Sequence, residues 1–75
     1  MKSKTKIISK KSVIAIDLGG TKISAAVIDY RGKIKHEIKE ASYLAGGWSE
    51  LKLQIVDICR RLIELEGDIY CIGIG

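Results

Sequence analysis

The sequence predicts an α/β domain of order β-β-β-α-β, a mixed sheet carrying one helix. Three observations carry this. Short runs rich in β-branched residues are separated by glycine-containing turns. A stretch of helical period follows in the second half of the chain. The chain then returns to an uninterrupted apolar run, Ile69–Ile74. With 75 residues there is room for one domain only. A chain this short buries only about 60% of the surface its unfolded form exposes, which predicts marginal stability.

Val13–Leu18 is the first strand, a continuous apolar run of the kind found where both faces are covered. Gly19-Gly20 breaks it, and Lys22–Asp29 forms the second strand. Asp29-Tyr30-Arg31-Gly32 is a turn: an aspartate can bond backbone amides just beyond it, and glycine can take positive φ. In Lys33–Glu40 residues Ile34, His36 and Ile38 alternate with lysines and Glu37, a half-exposed strand whose charges discourage edge pairing. Ala45-Gly46-Gly47 is a linker. From Trp48 to Glu66 the period changes: Leu51, Ile55, Ile58, Leu62 and Leu65 step by four and three along one side of a helix. Ser49 reads as its N-cap and Gly67 as its left-handed C′ residue.

Charge is unevenly placed. The net charge is +4, yet residues 1–12 carry five of the thirteen basic residues and no acid, so this segment reads as a basic N-terminal arm. Residues 13–75 are close to neutral, with no general attraction to phosphate backbones, so neither nucleic acid nor a membrane is predicted as a partner. The run after the arm contains Asp17 and is too short for a signal peptide's apolar region. No segment approaches the ~20 apolar residues of a membrane span. Cys59 and Cys71 fall inside apolar patterns and read as buried free thiols, so a cytoplasmic protein is expected.

Why two glycines break a hydrophobic hairpin, with Asp17 just before them, is the chemical question. Glycines at a tight turn can take positive φ and leave no Cβ over the amides. Successive amides can then converge on an anion such as phosphate. Thr21 adds a hydroxyl and Lys22 a positive charge. Asp17 would repel a bare phosphate, but it fits if a hydrated Mg²⁺ ion lies between them. A Mg-nucleotide site and a plain hairpin turn both remain open on this chemistry, since glycine pairs are common in turns. The segment is not a P-loop, which needs G-x-x-x-x-G-K-[ST] leading into a helix. Gly73-Ile74-Gly75 lacks the third glycine and the helix of a dinucleotide fingerprint.

Ile14–Asp29, I-A-I-D-L-G-G-T-K-I-S-A-A-V-I-D, followed after two residues by Gly32-Lys33-Ile34, resembles the first phosphate-binding motif of the ROK family. That family comprises repressors, open reading frames and sugar kinases, within the actin-like ATPase superfamily. The later helix and I-Y-C-I-G-I-G are also similar to the family, so the resemblance spans Val13 to Gly75. It implies the N-terminal β-β-β-α-β segment of a ribonuclease H-like fold, a truncated mixed sheet with one helix. It implies a partial ATPase-type domain over residues 13–75 of a glucokinase-like, ATP-dependent sugar kinase, with ATP, Mg²⁺ and a hexose as ligands. Asp17 would hold a water of the Mg²⁺ ion, Gly19, Gly20 and Thr21 would wrap the ATP phosphates, and Lys22 would fix the transferring phosphoryl group.

The family's catalytic aspartate, sugar-gripping segment and zinc-binding cysteines have no counterpart here, so the chain alone is expected to be inactive. A non-catalytic nucleotide- or phosphate-binding or interaction subunit, or a remnant of a ROK-type transcriptional regulator, is the alternative. One helix covers one face of a four-stranded sheet, whereas Val13–Leu18 and Ile69–Ile74 suggest apolar side chains on both. The chain therefore reads as a piece of a larger domain that associates with itself or with a missing C-terminal portion. Among single residues, His36 reads as structural, Trp48 as a packing anchor, and Arg60 and Arg61 as solvated.

Overall fold

A computed structural model describes residues 11–75. Four strands, β1 (Ser12–Leu18), β2 (Lys22–Ile28), β3 (Ile34–Ala41) and β4 (Ile69–Ile74), form one sheet in the order β3-β2-β1-β4. A single 3-10 turn, Leu44–Gly46, leads into helix α1 (Trp48–Leu65). β2 runs antiparallel to both β1 and β3, with Asp17 opposite Ser24 and Ala25 opposite Ile38. β4 returns through α1 to lie parallel to β1, Ile14 beside Ile72 and Ile16 beside Ile74. The predicted small α/β architecture, a mixed sheet with one helix, is present.

The strands form because each offers β-branched residues at every second position to one side. Ile14 and Ile16 from β1 meet Ile23, Ala25 and Val27 from β2, and Ile58 and Leu62 of α1 complete this core. At roughly 1.5–3 kcal/mol per fully buried aliphatic side chain, this cluster supplies most of the drive to fold. The other side of the sheet carries the pairs Val13 and Ile28, Ala15 and Ala26, and Asp17 and Ser24. Within Val13–Leu18 the pleat puts Ile14 and Ile16 toward the helix, while half-buried Val13, opposite Ile28, shares the far face with Ala15 and Asp17, so that face is apolar at one end and small or charged toward the hairpin. The large exposed isoleucines of β4 lie beside the helix. α1 packs over β2 and β3, leaving an open groove of about 590 Å³ between Val56 and Ile63 of the helix and Ile72 and Ile74 of β4.

The Asp29 turn forms as expected. Its Oδ1 accepts the Arg31 and Lys33 amides, each at 2.9 Å, and Gly32 takes φ +84°. Those amides, the one from Lys33 foremost, hold the Asp29 carboxyl below its usual pKa.

Several other expectations need correction. Ser49 lies inside α1; the N-cap is Gly47, whose φ of +101° turns the chain into the helix with no side-chain cap. Glu66 is the C-cap in an extended conformation, and Gly67 is not left-handed, because the chain leaves α1 directly toward β4. Trp48 is 66% exposed, so it is not the buried anchor expected. Leu65 is exposed as well, and Gln54 takes its place in the buried stripe. Cys71 is exposed because β4 has no cover, while Cys59 is half-buried, and burial pushes its thiol pKa up.

Arg61 is not free in solvent: its guanidinium reaches Glu40 at 2.6 Å and Asp57 at 3.0 Å. Residues 1–10 of the basic arm lie outside the described residues. Lys11 pairs with Asp68 at 3.6 Å and Ser12 is buried in β1, so the strand begins one residue upstream of the expected Val13. Among the described residues no helix is long and apolar enough to cross a membrane.

Candidate phosphate-binding hairpin

The β1–β2 hairpin places the five candidate residues at one end of the sheet. Asp17 is the next-to-last residue of β1, Gly19, Gly20 and Thr21 make the turn, and Lys22 opens β2. Leu18 pairs with Ile23, and the Gly19 amide donates to the Lys22 carbonyl at 2.8 Å, closing the hairpin. Neither glycine adopts positive φ, so the amide nest expected from left-handed glycines is not the geometry formed. The reason is local: hairpin closure uses the Gly19 amide, leaving the Gly20 and Thr21 amides without a partner among the described residues.

The two glycines therefore do different work. A Cβ on Gly19 would sit 3.0 Å from the Lys22 carbonyl oxygen, a backbone atom with little room to yield. A Cβ on Gly20 would meet nothing within 4 Å. Gly19 permits the close approach of the strands, whereas Gly20 keeps space above the turn.

Strand alternation sorts the side chains. Asp17 is opposite Ser24, and Lys22 lies two residues before Ser24, so all three occupy the face away from α1. The same face carries Glu37 and Lys39 of β3, linked by a 4.0 Å ion pair. Beside Asp17, on the other flank, is Gly75: its amide donates to Ile16 at 2.9 Å and its carbonyl accepts the Leu18 amide at 3.0 Å. Asp17, Ser24, Glu37 and Gly75 surround a shallow depression of about 280 Å³ floored by Ala15 and Ala26. Small residues leave this floor low, so Asp17 stands clear of it. Among the described residues neither the Asp17 carboxylate nor the Lys22 ammonium has a hydrogen-bond or ion-pair partner.

A polar brace under the hairpin is not apparent from the candidate motif. Gln54, buried in α1, accepts the Tyr43 amide at 2.8 Å. Its Nε2 donates to the Ala41 carbonyl at 2.8 Å and to Glu40 at 3.2 Å. Within the segment so held, the Ser42 amide donates to the Thr21 carbonyl at 2.8 Å. Helix and turn are thus joined through one amide side chain. Arg61, hydrogen-bonded to Glu40, holds that carboxyl below its ordinary pKa, with Gln54 adding to the effect. The signal for Gln54 was its position: it lies three residues after Leu51, on the apolar stripe itself.

No protein-family model matches the chain, and comparison with curated proteins returns no match. The likeness to the ROK family accordingly rests on the sequence resemblance over Val13 to Gly75 alone.

Proposed function

We propose that this chain is the nucleotide-phosphate-binding N-terminal segment of a ROK-type, glucokinase-like sugar kinase, with its sheet belonging to the ribonuclease H-like class. The observation that carries the reading is the shared open face of Asp17 and Lys22. Both are unpaired among the described residues, beside two free turn amides, at the carboxyl end of the parallel β1–β4 pair. In open α/β sheets, ligands favour the carboxyl ends of the strands. The donor set fits Mg-ATP. Asp17 supplies one hard oxygen suited to a hydrated Mg²⁺, and Gly20 and Thr21 supply amides to phosphate oxygens. Lys22 supplies a mobile point charge. The bound Mg²⁺ would neutralise phosphate charge during transfer.

These residues bind and orient the phosphates. None of them is assigned the proton of a sugar hydroxyl, so the 75-residue chain is read as binding without turnover. A cytoplasmic setting, where ATP is abundant, belongs to the same proposal.

Titration of the chain with ATP, with and without Mg²⁺, followed by calorimetry and amide shifts, tests the reading. Binding should require Mg²⁺, shift the Gly20 and Thr21 amides, and weaken at least tenfold in Asp17→Asn, about 1.4 kcal/mol. Binding that ignores both Mg²⁺ and this substitution would sink the proposal. Adding a hexose panel and finding sugar phosphate from the chain alone would overturn the assignment of binding without turnover.

A further inference from the structure

Gln54 is the only carboxamide side chain in the sequence, which has no asparagine, and it lies buried on the apolar stripe of α1. A leucine there would continue the stripe, so the polar group answers to something outside the helix. β2 and β3 are matched with Lys22 opposite Ala41, and the Ser42 amide donates to the Thr21 carbonyl at 2.8 Å. The ladder therefore runs one residue past the end of β3, into the turn. Alternation points the Ser42 amide at β2 and turns the Ala41 carbonyl and the Tyr43 amide the opposite way. Gln54 meets both at 2.8 Å: Nε2 donates to the Ala41 carbonyl, and Oε1 accepts the Tyr43 amide. One carboxamide thus does for Ser42 what a neighbouring strand would do. Glu40 accepts from Nε2 at 3.2 Å, which fixes the end of the amide that faces Tyr43.

From this arrangement we infer that Gln54 is a positioning residue for phosphate binding: through Ser42 and the Thr21 carbonyl it presets the Gly20 and Thr21 amides. This role rests on the reading of the hairpin as a phosphate site, and it names the group outside the hairpin that sets the affinity of that site.

The turn is pinned at two points. The Gly19 amide is bonded to the Lys22 carbonyl, and the Thr21 carbonyl is bonded to Ser42. The Gly20 and Thr21 amides, without partners among the described residues, lie between these pins. Holding them in place before the ligand arrives removes an ordering cost from binding. Without the carboxamide, the Ala41 carbonyl and the Tyr43 amide lose their partners, the segment around Ser42 is no longer tied to α1, and the second pin loosens. Coupling of this kind is reciprocal, so phosphate on the turn tightens the bonds of Gln54.

Gln54→Met keeps the bulk of the side chain and removes its hydrogen bonds. By calorimetry Mg-ATP should bind this variant roughly tenfold more weakly than the parent chain, within the range usual for coupled sites. Ile58→Val, one helical turn along the same buried stripe, weakens the core without touching the turn and should leave the affinity unchanged. In the unaltered chain the Gln54 side chain gives the only carboxamide signals of a nitrogen–proton spectrum. Mg-ATP should shift those signals and slow their exchange with solvent. Equal affinity in the parent and in Gln54→Met, or Gln54 signals that ignore Mg-ATP, overturns the positioning role and leaves the phosphate site standing. An equal loss in Ile58→Val overturns it too, since stability alone would then set the affinity. A parent chain that does not bind Mg-ATP overturns the phosphate site itself, and the positioning role with it. The signals of the unaltered chain decide the matter even where a variant fails to fold.

Discussion

At the scale of single residues, the glycine pair gives the sharpest experiment. Gly19→Ala forces a Cβ against the Lys22 carbonyl and should destabilise the chain by about 1–3 kcal/mol in urea unfolding, the cost typical of overpacking. Gly20→Ala meets open space at a φ outside the left-handed region, so stability should hold or rise by about 0.4–1 kcal/mol. If Gly20→Ala keeps the fold but loses Mg-ATP, backbone access above the turn is what the ligand uses. Unchanged binding would instead move the phosphate contact elsewhere. The motif was legible in sequence because aspartate, glycines, threonine and lysine are adjacent in the chain. The division of labour between Gly19 and Gly20 was not, because it depends on where the Lys22 carbonyl lands after the hairpin closes. Asp29 was readable for the opposite reason, since its partners Arg31 and Lys33 are two and four residues away.

The elements are held together by contacts that no local pattern announces. Gln54 sits on the apolar stripe, and its meaning comes from Ala41 and Tyr43, residues of another element. Gln54→Ala leaves a backbone amide and carbonyl unmatched, and should cost about 1–3 kcal/mol of unfolding free energy. It should also broaden the Thr21 and Ser42 amide signals, because the brace reaches the turn through that segment. The Glu40–Arg61 pair ties β3 to α1 and has a defined pH signature. Glu40 has a folded pKa below its ordinary 4.5, so unfolding raises its proton affinity. Its contribution is whole above the ordinary value and fades as pH falls through the depressed one. The stability gap between the parent chain and Glu40→Gln, measured by urea unfolding, should therefore narrow as pH falls from about 6 to about 3. A gap independent of pH would show that the pair contributes through packing alone. Helix period and strand alternation make the five elements readable, but Ser49 is not the cap because Gly47, two residues earlier, turns the chain into the helix.

For the whole molecule, the basic character belongs to a short stretch. Residues 1–10 hold four lysines, so a chain lacking them has a net charge of 0 in place of +4. Retention on a heparin column should collapse on that deletion, and retention that persists would reveal a basic surface on the folded body. The class of fold followed from the order of hydrophobic periods. What the sequence concealed was lateral: which half of the sheet the helix covers is set by packing, and that choice leaves β4 bare. The order β3-β2-β1-β4 also has a consequence for biosynthesis. β1 emerges from the ribosome early and finds β2 within seconds, but its parallel neighbour begins 57 residues later, at Ile69. At a translation speed of about 5–20 residues per second, one side of β1 waits roughly 3–11 s. Throughout that interval a nascent β-meander displays Ile14 and Ile16 along an unpaired edge, which makes it a natural client for chaperones that bind extended apolar segments.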